Sequence, residues 1–180
     1  MKRSATVVFS FVLGLLVIPV SVLLYFQFGY PPVAVADAPF PFEAKVVKIP
    51  LIARINREMP PKSPLAVNDA NLIAGAQIYR EQCSSCHGLK DKPSTFAAYT
   101  FPKTPQLWAA HKNKPGVVGV SDDPVEETYW KVRNGIRLSG MPSYQSLLTD
   151  QQMWQVSTLL SHAASPLPAA AIDSLTAQKP

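Results

Sequence analysis

Cysteine is scarce in this chain of 180 residues: there are two, Cys83 and Cys86, with two residues between them. No cysteine stands directly after the apolar N-terminal stretch, which excludes a lipid-anchored lipoprotein. Charge is missing altogether from Thr6 to Phe28, a run of 23 residues. There is no internal repeat and little strand-like alternation of apolar and polar residues, so repeat and sheet-rich architectures are excluded. A strong basic excess is also lacking. Without Lys2 and Arg3, 15 basic residues face 12 acidic ones, which is no nucleic-acid footprint.

As a helix, the uncharged run is about 34 Å long. That crosses a hydrocarbon core of about 30 Å with some tilt. Pro19 lies inside it, and spanning helices tolerate proline. Ala34-Val35-Ala36 resembles a signal-peptidase site, but the apolar core of a signal peptide is only about 7–15 residues long. Residues 1–30 are therefore expected to be an uncleaved transmembrane anchor. Lys2 and Arg3 precede the run and the next basic residue is Lys45, so the N-terminus is expected in the cytoplasm. The rest of the chain then lies across the inner membrane of a bacterium, in the periplasm.

Residues 31–64 contain Pro31, Pro32, Pro39, Pro41, Pro50, Pro60, Pro61 and Pro64. Prolines at this density predict an extended periplasmic strap with no long helix. Val46-Val47-Lys48-Ile49 and Leu51-Ile52 are its candidate docking segments. A compact all-α domain is expected over residues 65–164. Its first helix spans Asp69 to Gln82 with Asn68 as N-cap, placing Leu72, Ala76, Tyr79 and Cys83 on one face. The second opens with Asp123 as N-cap, Pro124 at the first helical position and Glu126 three residues on, and it stops at Gly135. The third runs from Thr149 to about His162, with Thr149 and Gln152 as a capping box. Residues 165–180 are rich in Ala and Pro and are expected to form a disordered tail.

Cys83-Ser84-Ser85-Cys86-His87 spells C-x-x-C-H, the signature of c-type haem attachment. Two thiols on one turn can each add across a porphyrin vinyl group, and the adjacent imidazole can take one axial position on the iron. Rival uses of these residues fail. No βαβ context surrounds Cys83 for a thioredoxin-like pair. His111 and His162 are too distant to complete a zinc site. A structural disulfide would leave His87 unexplained. One covalent haem c is the expected cofactor.

The other axial position has five candidates: Met141, Met153, Met59, His111 and His162. Met141 stands in Gly140-Met141-Pro142, a loop between two predicted helices, where Gly140 allows close approach and Pro142 stiffens the exit. Met153 is at helical core spacing, Met59 precedes the domain, and His111 lies in a lysine-rich run. His87 and Met141 are therefore the expected iron ligands. Iron closed on both sides leaves one-electron exchange as the chemistry and argues against an enzyme. A peroxidase-like enzyme would need Met141 to leave, and no distal His/Arg pair is evident. A redox or gas sensor would need a cytoplasmic receiver, and only about five residues precede the anchor. Leu107, Ile136, Leu138, Tyr144 and Trp130 are candidate walls of the haem pocket, with Arg137 or Tyr144 able to bond a propionate. Lys131, Arg133 and Arg137 form a candidate basic docking face for an acidic redox partner.

These motifs resemble the membrane-anchored, mono-haem class I cytochromes c, such as the modules of cbb3-oxidase subunit III and of dehydrogenase cytochrome subunits. The resemblance rests on Gly75 to Tyr79, Cys83 to Gly88, Asn134 to Pro142 and Leu148-Thr149-Asp150. It implies the class I cytochrome c fold and a close crossing of first and last helices at Gly75. It also implies that a proline carbonyl, here Pro105, accepts the Nδ1 proton of His87, with Leu107 on the haem face.

Overall fold

The computed structural model describes residues 2–176, and within the first helix the side chains from Thr6 onward. The chain divides into two compact units, residues 1–43 and 44–180. Among the described residues the regular structure is helical, and one isolated bridge pairs Ala110 with Val118.

The first unit is dominated by helix α1 (Lys2–Phe28). Its uncharged stretch, Thr6–Phe28, is long and apolar enough to cross a membrane and is exposed along its length. After Gly29 the chain makes two compact turns. The Asp37 carboxylate accepts from the Val33 and Ala34 amides, both at 2.8 Å. The Glu43 carboxylate accepts from the Phe40 amide at 2.9 Å.

The strap departs from the expected extended form. Helix α2 spans Glu43–Glu58 with Pro50 inside it. The other prolines bracket this helix at 31–41 and 60–64 and leave one within it. Pro50 cannot donate to the Val46 carbonyl, a cost the rest of the helix must offset. Ile55 is buried, Arg54 and Glu58 form an i,i+4 pair at 2.8 Å, and Trp130 Nε1 donates to Glu58 at 3.1 Å. Further on, the Ser63 amide donates to Glu126 at 2.8 Å. The end of the strap is thus fastened to the domain that follows.

That domain is built on α3 (Asp69–Gln82) and α6 (Asp150–Ser161), which cross each other, with α5 (Val125–Asn134) against α6. Asn68 caps α3 through the Asn71 amide, and Thr149 and Gln152 make the expected capping box on α6. At the crossing a Cβ on Gly75 would lie 2.9 Å from the Gln155 carbonyl carbon and 3.1 Å from Leu159 Cβ. The residue above Gly75 is therefore Gln155, next to Trp154. Tyr129 stacks on Trp154 at 3.8 Å and Tyr79 meets Trp108 edge-on at 5.6 Å, filling the core around Leu72, Met153 and Val156.

Two further expectations are corrected. Helix α5 starts one residue later than expected, with Pro124 as N-cap and no side-chain cap. Asp123 instead bonds Lys131 at 3.2 Å and Glu126 bonds the Ser63 amide. The expected disordered tail contains helix α7 (Ala169–Leu175), packed on α3 with Ala171 and Leu175 fully buried. The Arg80 guanidinium donates to the Ser174 and Thr176 carbonyls, each at 2.8 Å, closing the C-terminus of this short helix. Residues 177–180 lie outside the described residues.

Candidate functional site

Cys83 closes α3 with its amide on the Tyr79 carbonyl. The chain turns at once into α4 (Ser84–His87), where the Cys86 and His87 amides return to the Cys83 carbonyl at 3.2 and 2.9 Å. One helical turn carries both thiols and the imidazole. The cysteines are free and half-buried, and Cys83 lies against the main core. Burial, with the neighbouring Cys86, pushes the Cys83 thiol up to about 12, so it stays protonated at neutral pH.

His87 Nδ1 lies 2.8 Å from the Pro105 carbonyl oxygen. A carbonyl only accepts, so Nδ1 carries the proton and Nε2 keeps its lone pair. Burial lowers the His87 pKa while the Pro105 bond opposes it, which leaves the imidazole neutral at pH 7. A neutral ring with a free Nε2 is the form that binds a metal ion.

The loop after this turn holds it from outside. Ser94 Oγ donates to the Ser85 carbonyl at 2.5 Å, Gln106 Nε2 to Cys86 at 3.3 Å and the Leu107 amide to His87 at 3.3 Å. Three successive carbonyls that a four-residue helix leaves unpaired are thereby satisfied. Gln106 Oε1 also accepts from the Ser94 amide at 2.6 Å. Sequence reasoning missed Ser94 and Gln106. The available signal was the position of Gln106 between Pro105 and Leu107.

Met141 lies in the loop between α5 and α6, half-buried against the same core as Cys83. Its amide donates to Ser139 Oγ and its carbonyl accepts from Ile136, both at 3.3 Å. The close approach expected at Gly140 occurs at Gly135. A Cβ on Gly135, at φ +68°, would lie 2.7 Å from both Pro142 C and Ser143 N, whereas Gly140 has open space beside it. Tyr144, buried, donates its hydroxyl to the Gln82 carbonyl at 2.8 Å. The Met141 loop is thus tied to the residue before Cys83.

Residues 70–160, just over half of the chain, match the family model described as cytochrome c oxidase, cbb3-type, subunit III. The chain belongs to this cytochrome c family. No curated protein and no solved structure matches it.

A cytochrome c domain implies haem and electron transfer through its iron. The residues present fit that group: two free thiols one turn apart, an imidazole fixed in the ligating tautomer, and a thioether beside the same core. Leu138 supports the fit, because it is 88 % exposed at φ +61°, an apolar side chain with no protein cover. Leu107 is buried and Ile136 half-buried. Among the described residues no cluster of three or more His, Cys, Asp or Glu could hold a separate metal ion.

Several other expected site residues make contacts within the protein. The Tyr144 hydroxyl donates to the Gln82 carbonyl, which makes Tyr144 a tie between segments. Trp130 directs its indole N–H to Glu58 in the strap. Lys131 is neutralised by Glu127 at 2.6 Å and Asp123 at 3.2 Å, so the basic docking face loses one of its three charges. Arg137 remains exposed in the loop before Met141. Met153 is core, His111 is engaged through Nε2 with the Gly119 carbonyl at 2.6 Å, and His162 through Nδ1 with Thr158 at 2.9 Å. Met59 is half-buried just past the end of α2.

Proposed function

We propose that this cytochrome is a membrane-anchored one-electron carrier, with a single haem joined to Cys83 and Cys86 and its iron held by His87 and Met141. The observation that carries this reading is the 2.8 Å contact of His87 Nδ1 with Pro105 beside two free thiols. Bound there, haem supplies an Fe(III)/Fe(II) couple with no open coordination site. The Pro105 carbonyl orients the His87 ring and raises its basicity. The hydrogen bonds of Gly135, Ser139 and Tyr144 hold the Met141 loop, which would limit movement of its thioether. A soft thioether favours Fe(II) and raises the potential relative to two imidazoles. Leu107, Ile136 and Leu138 would line the ring and keep water from it, and exposed Arg137 is the candidate partner for a propionate.

The 23-residue apolar helix supports an anchor in a bacterial inner membrane, and the charges at Lys2 and Arg3 support a periplasmic haem domain. Redox proteins in or at that membrane are then its donor and acceptor.

The test combines mass and redox measurements on the full chain matured with haem. The peptide containing residues 83–87 should gain the mass of one haem, and potentiometric titration should follow a one-electron curve. The reduced protein should not bind carbon monoxide at neutral pH. Haem extracted intact by acidic solvent would contradict covalent attachment. Ready carbon monoxide binding would instead favour an enzyme or sensor with an open iron.

A further inference from the structure

The first two and a half turns of α2 expose four large apolar side chains between the charged Glu43, Lys45 and Lys48. Val46, Val47, Ile49 and Ile52 are 61, 52, 68 and 52 % exposed. At 3.6 residues per turn these four side chains spread over roughly 220° of the helix. The C-terminal half behaves differently: Ile55 is buried and Glu58 holds Trp130. One continuous helix is therefore fastened to the haem domain at one end and presents bare apolar surface at the other. Bare apolar surface of that width, with Lys45 and Lys48 beside it, is stable only when it is covered.

We propose that residues 44–52 are immersed in the interfacial region of the lipid bilayer. The proposal rests on the anchored reading above and adds a second membrane contact that fixes the orientation of the haem domain. Three observations favour lipid over a protein partner. A protein partner covers one face of a helix, whereas a fluid medium covers every side. The connector from Gly29 to Phe42 is 14 residues long and folded into turns at Asp37 and Glu43, so α2 begins well within about 50 Å of the end of the spanning helix. Tyr30 and Phe40 are exposed along that connector, the kind of side chain that settles at a membrane–water boundary. Charge agrees as well. Helix α2 carries four basic residues, Lys45, Lys48, Arg54 and Arg57, against Glu43 and Glu58, and anionic headgroups attract such an excess. The haem domain would then be held by a rigid helix about 24 Å long and not by a loose tether.

Site-directed spin labelling of the full, haem-loaded chain in vesicles of phosphatidylcholine and phosphatidylglycerol tests this. With both native thiols joined to haem, a single introduced cysteine takes the label. Labels are placed by Val47→Cys, by Leu16→Cys in α1 and by Ser146→Cys on the exposed haem-domain surface. Relaxation is compared for dissolved oxygen, which concentrates in lipid, and for a water-soluble nickel chelate. The expected result is that position 47 prefers oxygen severalfold, as position 16 does, while position 146 prefers the chelate. Chelate access at 47 equal to that at 146, with 16 still protected, overturns immersion and leaves the anchor standing. Protection at 47 that arises only on adding a membrane redox complex assigns the surface to a protein and also overturns it. Chelate access at all three positions removes the anchored reading together with this one.

Discussion

Gly75→Ala tests the helix crossing on which the haem site is built. Taken alone, the substitution should favour α3 by about 1 kcal/mol, because alanine is the better helix former. The crossing reverses the sign. The new methyl would sit 2.9 Å from the Gln155 carbonyl carbon and closer still to its oxygen. Carbon atoms rest at about 3.5–4.0 Å, so α3 and α6 must part by roughly 0.6–1 Å. The atoms in the way belong to the backbone of a buried helix, which cannot step aside as a flexible side chain could. Overpacking of this kind costs about 1–3 kcal/mol, and rigid backbone puts it at the upper end. The net effect should be a destabilisation of about 2 kcal/mol, or roughly 8–12 °C in midpoint for a domain of this size. Guanidinium unfolding of the haem-loaded chain in detergent, followed by helical circular dichroism and tryptophan fluorescence, measures it. Gln77→Gly, exposed on the same helix, isolates propensity and should cost about 0.5–1 kcal/mol. If Gly75→Ala is neutral or stabilising, the two helices do not cross at the distance described.

Tyr144→Phe removes the bond to the Gln82 carbonyl and should cost about 1 kcal/mol in the same unfolding assay, with the oxidised haem spectrum unchanged. Arg80→Ala leaves the Ser174 and Thr176 carbonyls without their donor, so amides of α7 should lose hydrogen-exchange protection before those of α3 and α6. The Arg54 hydrogen bond is the main cause holding the Glu58 carboxyl below its ordinary 4.5, and Trp130 adds to it against partial desolvation. A depressed carboxylate contributes fully above its unfolded value and loses that contribution as pH falls through its folded one. Acid titration should therefore release the strap from Trp130 only below about pH 4.5, seen as a fluorescence change that Glu58→Gln abolishes.

Local chemistry made part of this molecule legible in its sequence. Asn68, Thr149 and Gln152 cap their helices because the partners lie within three residues, and C-x-x-C-H needs one turn to bring its groups together. Pro105 was accessible only through family resemblance, since 18 residues separate it from His87. Long-range bonds hid the rest. Helix α2 survives Pro50 because Ile55 is buried and Glu58 meets Trp130, 72 residues away. Helix α7 is too short to hold alone and depends on Arg80, more than 90 residues earlier. Lys131 looked like a free charge because Asp123 had been assigned to a cap. Gly140 and Gly135 flank the same loop, and only the backbone path shows that the chain folds back over Gly135.

Ligation of the iron by Met141 is the claim on which closed one-electron chemistry depends, and the optical spectrum of the oxidised protein addresses it most directly. The wild type should show the weak sulfur-to-iron charge-transfer band at the red end of the visible range, and Met141→Ala should lose it while keeping covalent haem. In Met141→His the midpoint potential should fall, because a second imidazole favours Fe(III) relative to a thioether. A wild type without the band, or a Met141→Ala protein that retains it, would contradict the account.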